Sequence, residues 1–291
     1  MEQREFIVEA EAAGQRIDRF LSGEDTGLSR SALQGLVAEG HVLCNGKSIA
    51  KSLKLKAGDT ILLEIPDAKP IEAVPQDIPL DIVYEDDHLL VVNKPAGMTA
   101  HASNFLPDTP TVAGALAWQR GPDFIFHVVN RLDKGTTGLM AVAKSGYIHD
   151  RLRRMLHTDS FRREYRAVCM GCPEPPAGTI DAPIGRDESS TVRRMIRPDG
   201  QRAVSHYEVL SVRNGLSFVR LVPETGRTHQ LRVHMASIGH PLAGDWLYGT
   251  EDPDLIARPA LHAYALALTH PVTGTHLYFT APTPADMEKL I

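Results

Sequence analysis

Four prolines in a short stretch most strongly limit how this chain can fold. They are Pro66, Pro70, Pro75 and Pro79. Proline fixes φ and has no backbone N–H, so a segment with this spacing forms neither a helix nor a central strand. Residues 66–80 are therefore predicted to be a semi-rigid linker. The linker predicts two folded units, a small one over residues 14–65 and a large one over residues 81–291.

Length and composition fit two such units in a globular protein. The chain has 291 residues, of which 43% are hydrophobic and 23% are charged. No apolar run approaches the length of a membrane span, and the N-terminus has no signal-peptide pattern, so we expect no membrane contact. The cysteines Cys44, Cys169 and Cys172 give no disulfide framework. These features predict a protein of the reducing cytoplasm.

Charge is unevenly distributed along the chain. The formal net charge of −5 argues against a non-specific nucleic-acid binder, which is usually basic overall. Basic residues nevertheless dominate two stretches, Arg30 to Lys56 and Arg151 to Arg166. Local basic faces on an acidic body can still bind phosphates selectively.

The small unit shows a pattern of two short helices and a small sheet. Apolar residues at helical spacing predict the helices, and Gly40 is expected to end the second, which Ser29 would cap. Asn45-Gly46 predicts a two-residue turn before a strand over Ile61 to Ile65. The apolar residues of the two helices are Ile17, Phe20, Leu21, Leu33, Leu36 and Val37.

Four segments of this unit together resemble the RNA-binding domain first seen in ribosomal protein S4. They are Arg16 to Leu21, Leu28 to Ser31, Gly40 to Val42, and Asn45 to Lys47. The resemblance implies that Arg16, Arg30 and Lys47 contact RNA phosphates, which position RNA without reading its sequence. The alternative is an ordinary solvated basic face.

A second pattern lies mid-chain, where two apolar runs flank a polar turn. Phe124 to Val129 and Leu139 to Ala143 predict strands, and the turn between them contains Arg131 and Asp133. A carboxylate held by cations stays ionised and can act as a nucleophile. The alternative is that Arg131 and Asp133 cap the turn or form a surface pair.

Three further segments carry polar residues in unusual contexts. Asn93-Lys94-Pro95-Ala96-Gly97 follows a predicted strand, and Tyr165 lies in the strand segment Glu164 to Ala167. Thr225 to Met235 predicts a helix that Thr228 caps and Gly239 ends. Arg227 would then lie just before the helix N-terminus, where backbone donors and positive potential collect.

The mid-chain segment Arg131-Leu132-Asp133 with Thr136, Gly138 and Leu139 resembles the catalytic motif of RluA-type RNA pseudouridine synthases, and the other segments match in order. The family implies an α+β fold on a large, mainly antiparallel, mixed sheet. It implies that Asp133 attacks or deprotonates the ribosyl group. It also implies that Arg227 pairs with Asp133 and that Tyr165 packs on the base and helps to deprotonate ring carbon five.

The resemblance also implies substrate contacts and one departure from the family. Arg131 would enter the space that the flipped base leaves, and Lys94, Asn130 and His229 would bind substrate. The family usually has histidine before Arg-Leu-Asp, and here the residue is Asn130. Asparagine can hydrogen-bond but does not titrate near neutral pH. The aspartate and both arginines of the motifs are present.

The implied reaction needs no cofactor, and the sequence predicts no metal site. Cys169 and Cys172 have metal-ligand spacing, but no second pair accompanies them. His229 and His234 do not form a known zinc motif either. We therefore expect an enzyme without cofactor that acts on RNA as a monomer.

The motifs favour large-subunit (23S) rRNA as the substrate, and tRNA remains an alternative. A non-catalytic RNA-binding or ribosome-assembly factor with the same fold is the main alternative function. A carboxylate-based glycoside hydrolase is a weaker one, because it would need two carboxylates across a cleft and the motifs supply one.

Overall fold

The computed structural model describes residues 2–24, 26, 28, 30–50, 52–66, 73–102, 109–121, 123–156 and 158–291, with side chains at all of these except 2 and 30–32. Within this part of the chain there are two sheets of four and ten strands and one separate hairpin. No helix in these residues is long and apolar enough to cross a membrane.

The N-terminal unit contains two helices packed on a four-stranded sheet. In chain order it comprises β1 Glu2–Ile7, a 3-10 turn Ala10–Ala12, α1 Ile17–Gly23, α2 Arg30–Glu39, β2 Val42–Cys44, β3 Lys47–Ser48 and β4 Thr60–Ile65. The strand order is β1-β4-β2-β3. Strand β1 lies before residue 14, so the sheet extends beyond the predicted start of this unit.

The predicted pattern of this unit is confirmed in its main features. Gly40 ends α2 with φ of 84°, and Asn45 and Gly46 form the turn between β2 and β3 with φ of 50° and 73°. Two-residue hairpin turns require positive φ at both positions, which Asn-Gly tolerates well. The predicted cap residue Ser29 lies outside the described residues.

The second half of the predicted linker packs against the large unit. Residues 67–72, which include Pro70, lie outside the described residues. Beyond them, the side-chain Oε1 of Gln76 accepts from the backbone N of Thr111 at 2.8 Å, and the backbone N of Gln76 donates to Gly114 O at 2.9 Å. The segment after residue 72 is therefore anchored rather than acting as a free spacer.

The large unit is built on a ten-stranded sheet. Its strands are β5 Asp81–Glu85, β6 Leu89–Lys94, β7 His127–Val128, β8 Thr137–Ala143, β9 Phe161–Met170, β10 Ala177–Asp181, β13 Val204–Arg213, β14 Leu216–Pro223, β15 Leu261–Thr269 and β16 His276–Thr280. The main path is β10-β13-β14-β9-β15-β8-β6-β5, with β16 on β15 and β7 on β8. The hairpin of β11 Ile184–Arg186 and β12 Arg194–Ile196 is separate. The β15–β8 pair is parallel and the other pairs are antiparallel, as the α+β expectation requires.

Helices cover the sheet and place its apolar residues in separate cores. They are α3 Val112–Arg120, α4 Gly146–Met155, α5 Gln230–Ser237 and α6 Ala285–Glu288. One core packs α3 and α5 with Tyr165 and alternate residues of β6 and β8, and another packs α4 with the intervening residues of those strands. All seven residues of β8 are buried because both of its faces are covered.

The start of β8 approaches β15 so closely that only glycine fits. Gly138 pairs with Ala263 in the parallel ladder and has φ of 106°. A Cβ at this position would lie 2.3 Å from the carbonyl oxygen of Ala263. This close approach of β8 to β15 determines the position in the sheet at which the polar turn joins β8.

Gly138→Ala should lower the free energy of unfolding by about 2–4 kcal/mol, because it combines a backbone clash with a left-handed φ. Urea unfolding followed by circular dichroism measures this change. Gly146→Ala is the matched control, since a Cβ there meets nothing within 4 Å. Equal stability of the two variants would contradict the assigned constraint.

Candidate active site

Asp133 lies in the turn between β7 and β8, and backbone contacts hold this turn in place. Thr136 N donates to Asp133 O at 3.1 Å, and Gly97 N donates to Lys134 O at 2.9 Å. The guanidinium of Arg258 donates to Gly135 O at 3.2 Å. The side chain of Asp133 is 30% exposed. The carboxylate is therefore both fixed and accessible.

The cation beside Asp133 is Arg232 in α5. Its Nη1 lies 3.3 Å from Oδ2 of Asp133. Its Nε and Nη2 bind the two oxygens of Asp245 at 2.8 and 2.7 Å, and the Asp245 side chain is fully buried. Asp245 also accepts from the backbone N of Leu247 at 3.1 Å. A bidentate pair of this kind fixes the guanidinium plane and aims its remaining nitrogen at Asp133.

The expectation that Arg227 pairs with Asp133 is wrong. Arg227 instead donates from Nε to Arg202 O at 3.0 Å and from Nη1 to Oε1 of Gln201 at 2.9 Å. Arg227 does not reach Asp133 because helix α5 begins later than predicted. It begins at Gln230 after His229, which has a left-handed φ of 58°, and Thr228 is not its cap. Arg232 is thereby on the buried side of the helix.

Sequence reasoning missed Arg232, Asp245 and Tyr248 as site residues. Arg232 lies about 100° around the helix from Leu231, so the apolar pattern does not indicate its burial, which only the structure reveals. An arginine on a buried helix face needs a charged partner. Asp245 lies in the segment that follows α5. The distance in space between Asp245 and Arg232 cannot be derived from their separation in the sequence.

Tyr165 lies in the middle of β9, where its neighbours are Leu221 on β14 and Ala263 on β15. It is 7% exposed. Burial has the largest effect on the pKa of the Tyr165 hydroxyl and raises it. The charge of Arg163 lowers this pKa, and the charge of Asp133 raises it. Tyr165 and Leu132, the residue before Asp133, pack in the same apolar core, which brings the predicted carboxylate and tyrosine into one region of the fold.

His229 joins this site through Tyr248. Its Nδ1 lies 2.9 Å from the Tyr248 hydroxyl, and its Nε2 lies 3.9 Å from Oδ2 of Asp133. The backbone N of Arg194 donates to the same hydroxyl at 2.9 Å. The hydroxyl can then donate to Nδ1, which leaves the proton of a neutral imidazole on Nε2, facing Asp133. Burial lowers the pKa of His229, although Asp133 opposes this effect.

Lys94 was expected to bind substrate, and the structure contradicts this because no part of the residue is exposed. Its Nζ donates to Pro95 O at 2.8 Å and Met98 O at 2.9 Å, and lies 3.4 Å from Lys134 O. Burial lowers the pKa of Lys94 to about 7, while Asp133 acts in the opposite direction. Lys94 thus lies against the turn that carries Asp133.

Asn130 was also expected to bind substrate, and the structure gives it a different role. The residue is 5% exposed. Its Nδ2 donates to Leu139 O at 3.2 Å, and its Oδ1 accepts from Ala141 N at 2.8 Å. Both polar atoms of the amide thus bind the backbone of β8. Asn130 therefore binds the turn that carries Asp133 to the sheet without an ionisable group.

The other predicted RNA contacts remain predictions. Arg131 is exposed beside the site, and Lys47 is exposed on β3. The side chain of Arg16 is 47% exposed and its Nε lies 3.0 Å from Oδ1 of Asp18. The side chain of Arg30 lies outside the described part of α2. Among the described residues, no group of three or more His, Cys, Asp or Glu is arranged to hold a metal ion.

Comparison with known proteins decides the family. Residues 88–237 match the model of the RNA pseudouridylate synthase family, and residues 15–61 match that of the S4 domain. The chain belongs to the RNA pseudouridylate synthase family. It is therefore an isomerase that carries an S4 domain at its N-terminus, and Asp133, Tyr165 and Arg232 all fall within the matched region.

Individual relatives agree with this assignment. The chain is 39% identical to an uncharacterized RNA pseudouridine synthase, YlyB, of Bacillus subtilis, over 100% of this chain and 98% of the relative. It is 39% identical to ribosomal large subunit pseudouridine synthase D of Zymomonas mobilis, over 96% and 94% of the two chains. The solved structure of human RNA pseudouridylate synthase domain containing 1 covers 72% of this chain and 85% of its own, with 27% identity and a TM-score of 0.59.

Asp245→Asn should lower both stability and activity of the synthase, because it leaves the buried guanidinium of Arg232 without its charged partner. We expect a loss of about 3 kcal/mol in the free energy of unfolding and of about 10–100-fold in kcat through misplacement of Arg232. Urea unfolding and the rate of pseudouridine formation measure these effects.

Asp199→Asn is the matched control, because Asp199 binds Arg197 with the same bidentate geometry at 2.8 Å but on the surface. Exposed pairs contribute little, so this variant should behave like the wild type. Similar losses in the two variants would show that the buried chain from Asp245 to Asp133 has no special effect.

The stability of the wild type relative to Lys94→Met should rise as the pH increases from 7 to 9. The folded protein releases the Lys94 proton near pH 7, whereas an unfolded chain keeps it until its ordinary pKa of 10.5. The unfolded state then binds more protons, so the free energy of unfolding increases with pH in this interval. Urea unfolding of both proteins at several pH values tests this, and a constant difference would contradict it.

Proposed function

We propose that the synthase converts specific uridines of 23S rRNA to pseudouridine. The Zymomonas mobilis relative is named as a large-subunit enzyme, and the S4 domain supplies a second RNA-binding unit. The observation that carries the proposal is the chain of contacts from Asp245 through Arg232 to Asp133, whose neighbour Leu132 packs in the same core as Tyr165. This chain of contacts presents one oriented carboxylate in the same region of the fold as an aromatic side chain.

In the proposed reaction the target uridine leaves its stack and its base packs on Tyr165. Unstacking costs a few kcal/mol, which favours loops and single strands as targets. Arg131 fills the space that the base leaves in the RNA. His229, with its Nε2 proton facing Asp133, binds the ribose side of the nucleotide.

Asp133 then acts on the sugar. It either forms a bond to C1′ or takes a proton from C2′, and in both cases the C1′–N1 bond breaks with its electron pair on the base. The detached base rotates. If Asp133 is bonded to C1′, C5 attacks C1′ and that ester bond breaks; if Asp133 holds the C2′ proton, the proton returns to C2′ as C5 bonds to C1′. The C5 proton is then lost and N1 gains one, so the reaction is an isomerisation without net oxidation. Arg232 keeps the carboxylate oriented throughout.

We further propose that the protein acts as a monomer in the cytoplasm, where rRNA is available. The residues of the proposed site lie in the turn before β8, in β9 and in α5. The S4 domain would hold the RNA backbone through Arg16, Arg30 and Lys47 while the large unit acts on the base.

Incubation with unmodified rRNA and tRNA, followed by mapping of carbodiimide-dependent reverse-transcription stops, tests the proposal. The wild type should produce new stops on 23S rRNA. Asp133→Asn should produce none while it binds the RNA with unchanged affinity, because it keeps the shape of the site but lacks the nucleophile. Asp159→Asn, which changes a 93% exposed carboxylate, should retain full activity.

Two results would overturn the proposal. If the wild type binds rRNA and forms no pseudouridine, the protein acts as a non-catalytic RNA-binding factor. If Asp133→Asn keeps full activity, another residue attacks the sugar. Stops on tRNA alone would contradict the rRNA assignment and keep the reaction.

A further inference from the structure

Arg163 is a partly buried arginine without a carboxylate partner among the described residues. It precedes Tyr165 by two positions in β9, and side chains two apart leave a strand on the same side. Its Nε is buried and has no hydrogen-bond partner in the part of the chain that the structure describes. Within the same residues its guanidinium has one hydrogen-bond acceptor, Thr225 O, which lies 3.5 Å from Nη2. Most of its donors are therefore unused.

Burial of a cation without a partner is unfavourable in free energy. The neighbouring arginines avoid this penalty because each pairs with a carboxylate. Arg232 binds Asp245 at 2.7 Å, and Arg258 binds Asp286 at 2.7 Å. Arg220 binds Glu164 at 2.7 Å. An unpaired guanidinium beside the proposed active site is available to negative charge that forms on the substrate during the reaction.

The structure fixes the position of this guanidinium without occupying its donors. The turn at Thr225–Gly226 lies against it, and a Cβ on Gly226 would be 3.2 Å from Nη1. That turn is itself fixed by Gln230, whose Oε1 accepts from the Thr225 hydroxyl at 2.7 Å and from Arg227 N at 2.9 Å. Arg163 is thus oriented before the substrate binds.

The position of Arg163 on β9 indicates which part of the substrate it faces. Arg163 and Tyr165 leave this strand on the same side, and Arg163 lowers the pKa of the Tyr165 hydroxyl whereas Asp133 raises it. In the proposed function the ribose is at Asp133 and the base is on Tyr165. Arg163, on the strand that carries Tyr165, is then a cation for the base rather than for the sugar.

We propose that Arg163 is a catalytic residue that stabilises the uracil anion formed when the glycosidic bond breaks. The electron pair of the C1′–N1 bond remains on the base, and its charge spreads to O2 and O4. The guanidinium donates hydrogen bonds to this charge until C5 bonds to C1′ and the charge disappears. A fixed donor that meets charge only after bond cleavage stabilises the transition state more than the ground state. This inference rests on the proposed function.

Tritium release from a 23S rRNA transcript labelled with [5-³H]uridine measures the reaction, because C5 loses its hydrogen. Arg163→Gln should lower kcat by about 100-fold, the usual effect of removing one donor to a developing anion. KM should change by less than about threefold, since the bound uridine is neutral. Arg163→Lys should keep an intermediate kcat, because it retains the charge but not the planar donors.

Arg162→Gln is the matched control. Arg162 is adjacent in β9, is 67% exposed and binds Asp159 on the surface. It leaves the strand on the opposite side and should keep the wild-type kcat and KM. Thermal melting of all variants identifies loss of folding, and Arg163→Lys decides the question if Arg163→Gln melts at a much lower temperature.

A second measurement separates charge stabilisation from a structural role. The same transcript made with 5-fluorouridine carries a more acidic base, which is a better leaving group. In single-turnover reactions, the loss of the fluorouridine nucleoside should be impaired by Arg163→Gln less than the reaction of uridine is. A variant that merely distorts the site would slow both substrates equally.

The outcomes distinguish the inference from the function on which it rests. An inactive wild type would refute the proposed function. An active wild type with equal kcat in Arg163→Gln and Arg162→Gln would refute the role of Arg163. An increase in KM with unchanged kcat would also refute it, and would show that Arg163 binds an RNA phosphate instead. Equal impairment on uridine and 5-fluorouridine would refute charge stabilisation.

Discussion

The guanidinium of Arg232, shared between two carboxylates, is the interaction on which the site depends. Asp245 takes two of its nitrogens and leaves the third for Asp133. Burial alone would disfavour the charge on Arg232, but its bonds to Asp245 and Asp133 outweigh this and raise its pKa. The helix α5, the turn at Asp245 and the turn before β8 are therefore joined electrostatically, although they are distant in sequence.

The sheet fixes the relative positions of the elements that carry this ion network. Strand β8 is covered on both faces and pairs with β6, β7 and β15, so its first residue can hardly move. The turn that carries Asp133 begins where this strand begins. Tyr165 lies on β9, which is next to β15 in the same sheet. The relative positions of carboxylate and aromatic ring are thus set by backbone pairing rather than by flexible loops.

The fold expected from the motif resemblance is confirmed, whereas the roles of Asp133 and Tyr165 in the reaction stay predictions. The resemblance misplaced the partner of Asp133, since the pairing depends on where α5 begins and a left-handed His229 shifts that start. It also assigned Lys94 and Asn130 to the substrate. Both instead satisfy backbone groups of the turn and of β8, and such partners follow only from tertiary packing.

The turn that carries Asp133 is held through its main chain. Gly97 N and Arg258 bind the carbonyl oxygens of Lys134 and Gly135, and Lys94 lies beneath the first of them. The side chain of Lys134 is exposed and its Nζ lies 3.5 Å from the hydroxyl of Thr109. Because these anchors use main-chain oxygens, a different side chain at position 134 changes the surface beside Asp133 but leaves the backbone bonds that place Asp133 intact.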